Sequence, residues 1–105
     1  MRNLLSLLFL HVILLGSASA QDTTRVLFLG NSYIFFNDVP TMLTEMAASL
    51  GHVIEIGQNT PGSFSLQGHT NDNTSQELIQ QGDWDFVVMQ EQSQKASLPY
   101  ENVQA

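Results

Sequence analysis

The sequence predicts an α/β fold, the first half of a doubly wound (flavodoxin-like) parallel sheet in strand order 2-1-3 with helices on both faces. Three observations carry that expectation. Two short segments, Arg25–Gly30 "RVLFLG" and Trp84–Gln90 "WDFVVMQ", contain uninterrupted apolar runs, the pattern of strands buried on both sides. Between them, Val39, Met42, Leu43, Met46, Ala47 and Leu50 recur at helical spacing. Strand and helix patterns then alternate along the chain, and such units cross over right-handed within one sheet.

The elements follow in order. Arg2 precedes the apolar segment Leu4–Leu15, and Ala18 and Ala20 have the small-x-small spacing of a signal-peptidase site. That apolar run is shorter than the roughly 20 residues a membrane span needs. Residues 1–20 therefore read as a cleaved signal, which implies a secreted or periplasmic protein with no stable membrane anchor, and 21–105 as the folded portion. The first strand, Arg25–Gly30, is apolar on both faces and so central. In the helix that follows, Pro40 suits the first turn and Gly51 the position just past the end, with Met42 and Met46 expected in the core. "HVIEIG", His52–Gly57, reads as the second strand. Its Ile54 and Ile56 point one way and Val53 and Glu55 the other, and a carboxylate on one face suits a sheet edge.

Gln58–Asp72 reads as a polar loop rich in glycine, serine and asparagine. Thr74 and Glu77 have capping-box spacing and open a short helix that stops before Gly82. Trp84–Gln90 is the third strand, central and parallel, with Trp84 in the core. Asp83 and Asp85 read as turn residues at the amino end of the sheet. Glu91–Ala105 shows no clear element. Three strands alone leave the outer edge of the third bare, a template for aggregation, so the sequence predicts further strands beyond residue 105.

Composition narrows the function. The formal charge is −7 with three basic residues, which excludes a basic nucleic-acid groove. Cysteine is absent, which removes disulfides, thiol catalysis, cysteine-ligated metals and a lipid-modified cysteine. His52 and His69 lack a third ligand, so they make a poor metal site and no metal is expected.

In the order 2-1-3, the crevice between the carboxyl ends of strands 1 and 3 is the topological switch point, the usual ligand site of an open sheet. Ser32 follows strand 1, Pro61-Gly62-Ser63 follows strand 2 and Gln90–Ser93 follows strand 3, so three polar loops converge there. Gly-Asn-Ser alone is ordinary turn chemistry; the convergence is what makes Ser32 a candidate nucleophile.

"VLFLGNSY", Val26–Tyr33, resembles the first block of the SGNH (GDSL-type) hydrolases, a Gly-Asp/Asn-Ser turn that carries the serine nucleophile. "PGSFSL" followed by His69 resembles their second block, and "WDFVVMQEQS" their third, normally Gly-x-Asn-Asp. The likeness runs from Arg25 to Gln94 and is narrower still to a bacterial branch long catalogued as a domain of unknown function.

It implies that Ser32 is the nucleophile and that its own N–H, the Gly62 N–H and a side-chain amide form the oxyanion hole. Gln92 would supply that amide in place of asparagine, with Gln90 the competing candidate, while Asn31 shapes the turn. The implied activity is cleavage of O-acyl esters of carbohydrates, such as acetyl groups, with no cofactor. The family's base lies in an Asp-x-x-His block that does not occur here. It is therefore expected beyond residue 105, and these 105 residues alone are expected to be inactive.

His52 sits at the amino end of the sheet, away from Ser32. His69 lies on the correct side but has no aspartate marked to orient it, and reads more readily as a loop histidine satisfied by backbone. Tyr33, Phe35 and Phe36 read equally as pocket lining or as packing under the first helix. A competing reading is a non-catalytic α/β binding module, flavodoxin-like or a degenerate hydrolase, that holds a sugar or nucleotide at the same crevice.

Overall fold

A computed structural model describes residues 21–99; the signal segment expected at 1–20 and residues 100–105 lie outside the described residues. In chain order the elements are β1 (Thr23–Leu29), α1 (Ser32–Phe35), α2 (Val39–Ser49), β2 (Val53–Asn59), α3 (Leu66–Thr70), α4 (Asn73–Gln81) and β3 (Phe86–Met89), then a 3-10 turn at Lys95–Ser97. The three strands form one parallel sheet in the order β2-β1-β3, as the sequence predicts. Thr23 pairs with Val53 and Leu29 with Asn59 on one side of β1; Val26 pairs with Phe86 and Leu29 with Met89 on the other.

The apolar run of β1 is the centre of the fold. Val26, Leu27, Phe28 and Leu29 are all buried, and successive side chains alternate between the two faces. On one face, Val26 and Phe28 pack with Ile34 of α1, Leu43 of α2, and Ile54 and Ile56 of β2. On the other, Gly57 leaves room for the indole of Trp84: a Cβ there would lie 3.0 Å from Cζ2 and closer still to Cη2. The indole N–H donates to the Leu78 carbonyl of α4 at 2.8 Å, and the Arg25 guanidinium lies 4.3 Å from the ring centre. Helices therefore cover opposite faces, α2 on the first and α4 on the second. Among the described residues, no helix is long and apolar enough to cross a membrane.

Asp83 and Asp85 are turn residues at the amino end of the sheet. Asp83 has φ +57°, and the Asp85 carboxylate accepts the Arg25 N–H at 2.7 Å while its own N–H donates to the Arg25 carbonyl at 2.9 Å. Arg25 also pairs with the largely exposed Glu55 at 3.2 Å, a contact that adds little to stability in water.

Several expectations are corrected. Met42 and Met46 are 53% and 65% exposed rather than in the core. The helix buries the line Pro40, Leu43 and Ala47, and the rest of its apolar stripe, Val39, Met42, Met46 and Leu50, stands exposed among the described residues. Trp84 is half-buried rather than enclosed. β3 is parallel and beside β1, but Phe86, Val87, Val88 and Met89 are 39–64% exposed, because no described element packs on either of its faces.

The capping box at Thr74 does not open α4. Asp72 does, accepting the Ser75 N–H at 2.8 Å. Two short helices were not foreseen. α1 is a single turn begun by the Asn31 side chain, and α3 lies inside the predicted polar loop, where the Ser65 hydroxyl accepts the Gly68 N–H at 3.1 Å. Gly51, at φ +80°, stands just past α2 as expected, in a conformation that favours glycine.

Candidate active site

The site begins where β1 stops. Gly30 has no room for a side chain: a Cβ would come 2.5 Å from Ile34 Cδ1 and 3.0 Å from Gln90 Oε1. Its smallness lets the chain turn sharply out of the sheet. Asn31 follows in an extended conformation, only 2% exposed, and bonds in three directions. Its backbone N–H donates to Gln90 Oε1 at 3.2 Å, its Nδ2 to the Phe64 carbonyl at 2.9 Å, and its Oδ1 accepts the Tyr33 N–H at 3.2 Å. One residue therefore ties together the loops that follow all three strands.

Ser32 is the next residue and the first of α1. Its carbonyl accepts the Phe36 N–H at 2.8 Å, but neither its hydroxyl nor its own N–H bonds to anything among the described residues. It is partly exposed and lines a cavity of about 170 Å³ with Asn31, Tyr33, Ser63, Gln92 and Ser93. Ser32 and Gln92 thus meet in one cavity, although they lie sixty residues apart in sequence.

The two candidate amides differ in what they are free to do. Gln90 is spent on structure. Its backbone N–H donates to the Leu29 carbonyl at 2.9 Å, its Oε1 accepts from Asn31, and its Nε2 donates to the Glu91 carbonyl. The Oε1 of Gln92 accepts the Gln94 N–H at 2.8 Å and the Lys95 N–H at 3.1 Å. That fixes the amide and leaves Nε2 with no partner among the described residues. Gly62 does not line the cavity; nothing lies within 4 Å of where its Cβ would be. Its neighbour Ser63 lines it instead, in the left-handed region at φ +60°. A non-glycine residue held there is uncommon and marks an over-determined turn.

His69 is 3% exposed, and both ring nitrogens are engaged away from the cavity. Nε2 lies 2.8 Å from the Gly30 carbonyl and Nδ1 2.7 Å from the Ser75 hydroxyl. A carbonyl can only accept, so Nε2 carries a proton and donates to Gly30, and in the neutral tautomer this leaves, Nδ1 accepts from Ser75. Ser75, itself fully buried, accepts Asn59 Nδ2 at 2.8 Å, and that amide also donates to Asp72 Oδ2 at 2.7 Å. The Ser75 backbone N–H holds the Asp72 carboxyl below its ordinary range, with the Asn59 amide helping, against a smaller opposing effect of desolvation. His69 has no free nitrogen with which to take a proton from Ser32.

The remaining sequence candidates are placed as follows. Tyr33 lines the cavity, whereas Phe35 and Phe36 are 45% and 81% exposed and do not pack under α2. His52 is exposed, just before β2 at the amino end of the sheet. The sequence places Ser63, Glu91 and Ser93 in the converging loops but assigns none of them a role. The Glu91 carboxylate accepts the Leu66 N–H at 3.1 Å and the Gln92 N–H at 2.6 Å, which joins the loop after β3 to the start of α3. An acid facing a helix N-terminus is a recognisable signal, but here the helix itself was not foreseen.

A larger cavity of about 380 Å³ lies between α2 and β2, lined by Asp38, Thr41, Thr44, Ile54, Ile56 and Gln58 together with Pro40. It shares no residue with the Ser32 cavity and holds no paired nucleophile and base. Among the described residues, no three His, Asp or Glu side chains cluster to hold a metal ion. Chemically, then, the Ser32 cavity offers a free hydroxyl with uncommitted donors beside it. Comparison with models of known families, with curated proteins and with solved structures finds no match to this chain.

Proposed function

We propose that the protein is a secreted serine ester hydrolase of the SGNH type, acting on O-acyl esters of carbohydrates through an acyl-Ser32 intermediate. The observation that carries this reading is that an unengaged Ser32 hydroxyl and N–H share one cavity with Gln92, whose Nε2 has no partner among the described residues. In the first half-reaction, Ser32 Oγ attacks the acyl carbonyl, and the oxygen that becomes negative accepts from the Ser32 N–H, Gln92 Nε2 and the Gly62-Ser63 loop. A base takes the Ser32 proton and gives it to the leaving oxygen as collapse breaks the ester C–O bond and releases the sugar hydroxyl. Water, losing a proton to the same base, then attacks the acyl-serine, releasing the carboxylic acid and restoring Ser32. Each oxyanion donor of this kind contributes about 3–4 kcal/mol to lowering the barrier.

Serine needs a positioned base for this chemistry. None of the six cavity-lining residues is one, and both nitrogens of His69 are engaged. The proposal therefore assigns the base to a histidine outside the described residues, where the family resemblance puts an Asp-x-x-His segment. The cavity volume of about 170 Å³ suits a short acyl group such as acetyl; pockets for whole drug-sized ligands run about 300–1,000 Å³. The sugar would lie outside, towards the exposed Tyr33 ring.

The test is fluorophosphonate labelling of the intact protein and its Ser32→Ala variant, with hydrolysis of p-nitrophenyl acetate alongside. Labelling and turnover should both disappear with the hydroxyl. Equal labelling of the two proteins would remove Ser32 from the mechanism.

The absence of a base among the lining residues favours a second reading, a degenerate, non-catalytic module that holds a sugar or nucleotide in the same crevice. Calorimetry separates the two. Saturable binding of such a ligand by the intact protein, unchanged in Ser32→Ala and without ester turnover, supports the module.

A further inference from the structure

We infer that His69 is a positioning residue for Ser32: it holds the peptide unit that aims the Ser32 N–H into the cavity. This rests on the reading of Ser32 as the nucleophile. The Gly30 carbonyl and the Asn31 N–H belong to one peptide unit, and each end of that unit is held by a side chain. His69 Nε2 donates to the carbonyl at 2.8 Å, and Gln90 Oε1 accepts the N–H at 3.2 Å. A peptide is planar, so fixing both ends fixes its rotation about the chain. The next peptide unit is the one that carries the Ser32 N–H.

The same imidazole packs against the loop that follows β2. Its ring meets the edge of Phe64 with centroids 4.7 Å apart and planes at 90°, and the Phe64 carbonyl accepts the Asn31 amide at 2.9 Å. Gly30, Asn31, Phe64 and His69 thus form a closed circuit joining the Ser32 turn to the loop that carries Gly62 and Ser63. The back of the ring is anchored through Ser75 to Asn59 and Asp72. An apolar side chain would fill the same buried volume but would leave the Gly30 carbonyl without its donor.

The experiment uses p-nitrophenyl acetate with the intact protein and three variants, His69→Ala, His69→Asn and His69→Gln, each checked for folding by circular dichroism. A displacement of about 1 Å at a reacting group costs on the order of 100-fold in rate. His69→Ala should therefore lose about 100-fold in kcat with KM within about twofold of the parent. His69→Gln places an amide donor where Nε2 stood and should recover most of that loss. His69→Asn, whose donor falls short of the Gly30 carbonyl, should remain as slow as His69→Ala. The acidic limb of the pH–rate profile should stay in place in His69→Gln.

Parental kcat in His69→Ala or His69→Asn overturns the inference, as does equal activity of the Gln and Asn variants. Loss of the acidic limb in His69→Gln overturns it too, since His69 would then be the base itself. If His69→Ala does not fold, the contrast between Gln and Asn decides. An active Ser32→Ala protein, or a parent without turnover, overturns the hydrolase reading and this inference with it. An inactive Ser32→Ala beside a fully active His69→Asn sinks the inference alone.

Discussion

Replacing Asn31 with alanine removes two hydrogen bonds at once and leaves their partners where they were. The Tyr33 N–H loses the acceptor that begins α1, and the half-buried Phe64 carbonyl loses its donor. Loss of an N-cap costs about 1 kcal/mol, and a polar group stranded away from water costs about 1–3 kcal/mol. Because Asn31 is only 2% exposed, water does not readily replace either bond, and the expected destabilisation is about 2–4 kcal/mol.

Urea unfolding followed by circular dichroism measures it. At a slope of about 2 kcal/mol per molar urea, the middle of the usual range, the midpoint should fall by about 1–2 M with the slope unchanged. Asn31→Ser keeps a capping oxygen but does not reach Phe64, so it should recover only the cap, about 1 kcal/mol. Labelling at Ser32 should slow in both variants even under conditions where they are fully folded. An unfolding free energy within about 0.5 kcal/mol of the parent, the range of ordinary surface substitutions, would refute the claim that Asn31 joins these loops.

The remaining predictions concern other parts of the fold. Gln92→Glu keeps the oxygen that caps Gln94 and Lys95 but replaces the free donor, so ester turnover should fall by about 100-fold or more at an unchanged unfolding midpoint. Equal turnover would remove Gln92 from the oxyanion hole. Gly57→Ala pushes the indole of Trp84 off β2, at a cost of about 1–3 kcal/mol. Trp84 is the single tryptophan, so intrinsic emission should shift to the red, and an unmoved spectrum would contradict the packing. Asp72→Asn tests linkage. A carboxyl whose folded pKa is depressed contributes stability above its unfolded pKa and loses it as pH falls through the folded value. The deficit of Asp72→Asn relative to the parent should therefore be full at neutral pH and shrink below about pH 3.8, the ordinary value for the group. A deficit constant down to pH 2 would contradict it.

How much of this was legible in sequence depends on the range of the interaction. The Val26–Leu29 run marks a strand buried on both sides, Glu55 marks the edge strand, and Gly51 marks the end of α2; each is a local signal with a local cause. The order 2-1-3 follows from those signals and the handedness of crossovers. α1 was not legible, because four residues are too few to show a period, and its start depends on a side chain, Asn31, that is fixed by distant partners. Thr74 has capping-box spacing with Glu77, yet Asp72 caps α4. Asp72 prevails because its carboxylate also receives the Asn59 amide from the end of β2, a contact no local pattern contains.

The burial errors have one source. Periodicity records which residues are apolar, not what covers them, so Met42, Met46 and the four residues of β3 looked interior and stand exposed among the described residues. At the site, Ser32 was found from its place after β1. The family resemblance favours Gln92 over Gln90, and the structure adds the physical reason: the amide of Gln90 is already engaged, whereas Gln92 Nε2 has no partner among the described residues.

The most direct measurement is a crystal structure of the protein after reaction with a small phosphonate that mimics the tetrahedral intermediate. The expected result is a covalent bond from Ser32 Oγ to phosphorus, with one phosphonyl oxygen about 2.7–3.1 Å from both the Ser32 N–H and Gln92 Nε2. An adduct on another residue, or a phosphonyl oxygen that faces solvent away from both donors, would contradict it.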